Sequence, residues 1–105
     1  MWYCFPEFVV NADEIVEFKA NLDGFEGYNP SIHYDLKLEK DGVSVAVASS
    51  VEDDTFDALG LLYSSKVTGA SSNFRFCMMS FGANRTIDYR RLQWGYTRKA
   101  PGSLN

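Results

Sequence analysis

The stretch SSVEDDTFDALGLLYSSKVTG, residues 49–69, decides the fold class on sequence grounds. Phe56, Leu59, Tyr63 and Val67 recur at spacings of three and four, with Leu62 beside them. That spacing is one face of an α-helix. Ser50 or Asp53 can cap its start. Glu52, Asp53, Asp54 and Asp57 suit the positive end of the helix dipole, and Lys66 suits the other end. Gly69 stops it. These signals predict a helix over about residues 53–66, with Gly60 as its weak point.

Outward from this segment the chain reads as strands. On its N-terminal side, Ile32, Tyr34, Leu36 and Leu38 alternate with His33, Asp35, Lys37 and Glu39. Asp41-Gly42 then leads into Val43, Val45 and Val47, which alternate with small residues. Asp-Gly between two alternating runs predicts a hairpin. Asp23–Ser31 reads as a loop. Residues 14–22 allow two readings. Val16, Phe18, Ala20 and Leu22 alternate as in a strand, the preferred reading. However, Ile15, Phe18 and Leu22 fit a helical stripe, and Asn11 with Glu14 resembles a capping box. Trp2–Val10 is a strand rich in aromatic and β-branched residues. Pro6 places it at an edge or a bulge.

On the C-terminal side, Phe74–Phe81 is strand-like, with Phe74, Phe76 and Met78 on one face. Thr86–Lys99 is a final strand whose phase slips at Arg90-Arg91, which suggests a β-bulge. The expected fold is α+β: a mainly antiparallel sheet of about five to six strands with one helix packed on a face. A helical reading of residues 12–22 would give the element order of ferredoxin-like domains. Residues 1–99 form a single domain and 100–105 a flexible tail. The expected core centres on Phe18, Tyr34, Leu36, Val45, Phe56, Leu59, Phe76, Leu92 and Trp94.

Composition bounds the function. The chain has 105 residues, 46% of them hydrophobic, with a formal charge of −4, which describes one folded domain. The charge is uneven. Residues 1–74 hold 13 acidic side chains against Lys19, Lys37, Lys40 and Lys66, a net of −9. Residues 75–105 hold six basic side chains against Asp88, a net of +5. No apolar run approaches the length of a membrane helix, and the first ten residues do not resemble a secretory signal. The chain therefore reads as cytoplasmic, with Cys4 and Cys77 as reduced thiols.

Catalytic and metal signatures are not found in the sequence. His33 is the single histidine and reads as a surface residue of a regular strand. Two cysteines and one histidine do not make a structural zinc site. The acids at 52–57 lack calcium-loop spacing. Asn84-Arg85-Thr86 matches a glycosylation pattern but reads as a turn. No cofactor is expected. The leading expectation is a non-catalytic cytosolic protein-binding module. Its sharpest form is a small acidic inhibitor of the immunity type that blocks a basic partner through Glu52, Asp53, Asp54 and Asp57. The alternative is nucleic-acid binding through residues 74–99, with Arg75, Arg90, Arg91, Arg98 and Lys99 on phosphates and aromatic rings on bases. Trp94 and Tyr96 share the phase of Leu92, which argues for their burial.

Overall fold

The computed structural model describes residues 2–23, 33–49, 58–81 and 92–100. All of the regular structure in them is strand. β1 (Tyr3–Cys4), β2 (Phe8–Val10), β7 (Ser72–Phe81), β4 (His33–Lys40) and β5 (Val43–Ser49) form one antiparallel sheet, here the large sheet. β6 (Ala58–Lys66), β3 (Ile15–Asp23) and β8 (Leu92–Lys99) form a second, three-stranded sheet. The two pack face to face as a β-sandwich.

The expected α+β class is therefore wrong, and so is the ferredoxin-like alternative. Residues 58–66, the second part of the expected helix, are β6, and residues 53–57 lie outside the described residues. The reason is tertiary. β3 is a nine-residue strand with alternating core residues, and its full length needs a partner on each side. β6 matches it residue for residue from Ile15↔Lys66 to Asp23↔Ala58. In that register Leu59, Leu61 and Tyr63 face inward. The helical stripe would have buried Leu62, which instead stands 74% exposed. Gly60, Ser64 and Ser65 give the helix little intrinsic support, so long-range pairing overrides the local period. Residues 15–22 follow their strand alternation.

Asn11 and Glu14 form one of the two bonds of a capping box, and the other bond between them is the main-chain bond of a turn. The Asn11 N–H donates to Glu14 Oε1 at 2.7 Å, and the Glu14 N–H donates to the Asn11 carbonyl at 3.1 Å. Asp13 between them takes a φ of 70°, so the chain reverses into β3 and no helix starts.

The hairpin β4–β5 forms as its sequence predicts, with Asp41 and Gly42 both at positive φ. β5 carries one bulge, opposite Leu38 and Glu39. Pro6 splits the N-terminal strand into β1 and β2, which pair successively with β7. This is the expected behaviour of a proline at a sheet edge.

The core lies between the sheets. Val10, Leu36, Leu38, Phe74, Phe76 and Met78 face Val16, Phe18, Ala20, Leu22 and Leu61, all buried. Of the expected core, Phe18, Tyr34, Leu36, Leu59 and Phe76 are buried, while Val45, Leu92 and Trp94 pack against it half-buried. Phe56 lies outside the described residues. Phe76 is an aromatic hub. Its ring centroid lies 5.6 Å from Phe5, 5.3 Å from Phe18 and 5.4 Å from Trp94.

Candidate functional site

The sandwich has two long sides, and they differ in kind. On one, β1 and β2 of the large sheet meet β8 of the small sheet, and this side is closed by specific bonds. Within the large sheet, Cys4 of β1 and Cys77 of β7 stand opposite each other in register and are joined as a disulfide, which fixes the short edge strand. The expected reduced thiols are thus corrected, and the thiol argument for the cytosol falls with them. Arg98 of β8 donates from a terminal nitrogen to the Val9 carbonyl of β2 at 3.0 Å. Phe8 stacks on Tyr96 with centroids 3.7 Å apart, and Phe5 lies 5.3 Å from Trp94.

On the other side β5 and β6 are neighbours. Among the described residues β5 pairs only with β4, so its outer edge is a sheet edge. Its sequence, Val-Ser-Val-Ala-Val-Ala-Ser, holds no charge and no proline. Val43 is 65% and Val47 63% exposed. Natural sheets usually blunt such edges with lysine, proline or very short strands. The other three edges here do so in part: Pro6 breaks the β1–β2 edge, Arg98 and Lys99 lie in β8, and Lys66 ends β6. β5 has only its bulge.

The outer face of the large sheet carries an ion network. Glu39 is buried to 8% exposure although it lies on the outward phase of β4. Arg75 of β7 donates to Glu39 Oε1 from Nε at 3.0 Å and from a terminal nitrogen at 2.7 Å. Lys37 Nζ lies 3.1 Å from Oε2 and 4.2 Å from the centroid of the Trp2 ring. The Arg75 hydrogen bonds, followed by that of Lys37, hold the Glu39 carboxyl below its ordinary range and outweigh the opposing effect of burial. This is a two-cation clamp on one carboxylate, joining β4 to β7.

The structure distributes the sequence-predicted site residues widely. Glu52, Asp53, Asp54 and Asp57 lie outside the described residues, as do Arg90 and Arg91. Arg75 is committed to Glu39 on the large sheet. Arg98 is committed to Val9, and Lys99 pairs with Glu17 at 2.6 Å on the small sheet. The three described members of the basic set therefore sit on different sheets, each already engaged. Trp94 is half-buried as its phase predicts, while Tyr96 is 39% exposed against Phe8.

Two features escaped sequence reasoning. The disulfide was detectable only through the pairing of β1 with β7, because each cysteine alone reads as a strand residue. The β5 edge was visible as an uncharged alternating run, but its edge position depends on the sheet order. No helix among the described residues is long and apolar enough to cross a membrane. Among them no group of three or more histidine, cysteine, aspartate or glutamate side chains could hold a metal ion. Neither the fold nor comparison supports the narrower expectation of an immunity-type inhibitor, and it is withdrawn. The chain matches no protein-family model, no curated protein and no solved structure.

Proposed function

We propose that the protein is a non-catalytic binding module that accepts an extended segment of a partner protein along β5. The observation that carries this reading is the contrast among the described sheet edges: β5 is a seven-residue uncharged strand with two exposed valines, whereas β2, also uncharged and with Val9 exposed, is three residues long and has its Val9 carbonyl bonded by Arg98. Strand addition uses what such an edge offers. Main-chain groups supply affinity, and alternate side chains supply specificity. Val47, opposite Lys37 on the outward phase, and Val43, at the start of the strand beyond the bulge, are the exposed apolar contacts of β5.

Charge indicates the partner. Glu52, Asp53, Asp54 and Asp57 follow β5 within eight residues of sequence. A basic segment docking on β5 gains from that acidity in encounter rate and selectivity. The groups with most chemical potential in the described residues have structural engagements. Cys4 and Cys77 are bonded to each other, and Glu39 is neutralised by Arg75 and Lys37. That supports binding over catalysis. The disulfide supports an oxidising compartment, since such bonds are rare where glutathione and thioredoxin act.

The test is a selection of linear peptides from a random displayed library. Binders should be enriched in Lys, Arg and β-branched residues. They should slow amide hydrogen exchange at residues 43–48 and lose affinity for Val47→Lys. Peptides that protect other strands, or bind Val47→Lys as well as the parent, would remove β5 as the docking edge.

A further inference from the structure

The open side of the sandwich has a second edge. β6 ends the small sheet and pairs only with β3 among the described residues. Its nine residues match β3 one for one, without a bulge. Residues 58–65, Ala-Leu-Gly-Leu-Leu-Tyr-Ser-Ser, hold no charge and no proline, and Lys66 is the last position. The edge is therefore regular, about 30 Å long at the usual rise per residue, and blunted at one end. An edge of this kind is a template for another strand.

Two residues indicate what covers it. Leu62 stands at the middle of β6 and is the most exposed large hydrophobic side chain among the described residues. Gly60 precedes it on the same outer face. Glycine weakens a strand, and inside one it often marks a positive φ, a bulge or a close approach by another backbone. The positive-φ glycines are Gly42 and Gly69, and β6 has no bulge. A Cβ built at Gly60 meets nothing within 4 Å in its own chain. What remains is an approach from outside the chain.

The sequence of β6 fits a second copy of itself. Antiparallel pairing about a two-fold axis through Leu62 uses all nine residues of both strands. It opposes Leu62 to Leu62, Gly60 to Ser64, Leu61 to Tyr63 and Leu59 to Ser65. Inward residues then meet inward residues, so the core row of Leu59, Leu61 and Tyr63 continues across the junction. On the outer face the diagonal neighbours of the Leu62 pair are Gly60 and Ser64, both small, which leaves room for two leucine side chains. Each Lys66 falls opposite Ala58, and the two lysines lie at opposite ends of the pair. A slip of one residue would turn the inward row of one copy outward.

We propose that the protein forms a two-fold dimer by antiparallel pairing of β6 with β6 of a second copy, which joins the two small sheets into one of six strands. This contact closes on itself, whereas pairing β6 with β5 of another copy would leave edges free and build an open chain. The dimer does not depend on docking at β5. β5 is the neighbouring edge, so a copy paired on β6 crowds it, and partner docking there is an alternative to the dimer. Nine residues from each copy make a small interface, which belongs to the weak, reversible class.

The experiment is sedimentation velocity of the intact, disulfide-bonded protein from low micromolar to submillimolar concentration. The parent should pass from monomer to dimer in that range and stop there. Leu62→Lys should weaken association about tenfold or more with an unchanged circular dichroism spectrum, since the side chain is exposed. Leu62→Cys places a thiol on the axis, where opposed residues lie about 4.5–5.5 Å apart, within disulfide reach. Copper-catalysed air oxidation should link two copies through it. Ser64→Cys is the control for register, because its two thiols would lie roughly 14 Å apart and should not link. A monomer at every concentration, or Leu62→Lys dimers as tight as the parent's, would overturn the proposal. So would cross-linking of Ser64→Cys in preference to Leu62→Cys. Assembly growing beyond the dimer would also overturn it and assign β6 to pairing with β5 of another copy.

Discussion

The two long sides of this sandwich solve the problem of exposed strands in opposite ways. Where β1 and β2 meet β8, the edges are short or charged and are locked together. The Arg98–Val9 bond and the Phe8–Tyr96 stack join the two sheets across up to 89 positions of chain, and the Cys4–Cys77 disulfide ties β1 to β7 within the large sheet. Where β5 meets β6, the described residues show no such lock. Val43, Val47 and Leu62 stand exposed. A chain that can protect one side so thoroughly has no physical need to leave an uncharged strand on the other. The difference separates a side whose residues are bonded across the sheets from one whose described residues leave an uncharged strand edge, the edge that the proposed function uses.

This contrast can be broken most directly at its aromatic hub. Phe76→Ala removes a fully buried ring that touches Phe5, Phe18 and Trp94, and should cost about 3–5 kcal/mol. Denaturant unfolding measures it. A loss under about 1 kcal/mol would mean that the N-terminal strands are not held by the core. Next in size is the disulfide. It links residues 73 positions apart, and replacing both Cys4 and Cys77 with Ala should cost about 2–4 kcal/mol. Hydrogen exchange should then accelerate at residues 3–5 before it changes at 43–48. The reverse order would contradict the assignment of the lock.

The clamp on Glu39 should matter at about 1.5–3 kcal/mol, the usual contribution of hydrogen bonds to charged groups. Its sign with pH is fixed by the depressed carboxyl. Stability from the clamp is fully present above the unfolded glutamate value, near 4.5, and is lost as pH falls through the lower folded value. Glu39→Gln should therefore lower stability at neutral pH and flatten its loss between neutral pH and acid. An unchanged acid limb would take Glu39 out of the network. Smaller still is Arg98→Ala, which frees the Val9 carbonyl to water and should cost about 0.5–1.5 kcal/mol. Its effect should fall on exchange at residues 8–10 and leave β5 untouched.

The strands were legible where alternation was clean and turn chemistry agreed with it. Leu36, Leu38, Asp41, Gly42 and the β5 valines specify the hairpin without help from the rest of the chain. Pro6 announced its edge. Residues 58–66 were misread because Leu59, Leu62, Tyr63 and Lys66 satisfy a helical period by coincidence. Only β3, more than thirty positions earlier, supplies the reason for a strand. The same limit hid the functional candidates. Cys4 and Cys77 are unremarkable in sequence and become a bonded pair only when β1 and β7 are placed side by side. Arg75, Arg98 and Lys99 looked like a basic stripe because they share a sequence region. Folding disperses them and gives each a partner. Composition revealed the charge imbalance but not which charges remain available.

The smallest expected effect on stability is the most informative about function. Val47→Lys places a charge on an exposed position of the β5 edge. The side chain is 63% exposed and its row on the large sheet already contains Lys37. Surface changes of this kind usually stay within about 0.5 kcal/mol. Lysine is also the residue that natural edges use to prevent strand addition. Stability and binding should therefore separate: an unchanged unfolding midpoint, with partner docking along residues 43–48 abolished. Phe76→Ala gives the opposite profile, a large loss of stability and, where the protein remains folded, an intact β5 edge. If Val47→Lys instead destabilises by 2 kcal/mol or more, β5 is packed in the native protein and is not an open edge. The two sides of the sandwich would then be equally committed to the fold, and the distinction between a locked side and an available one would disappear.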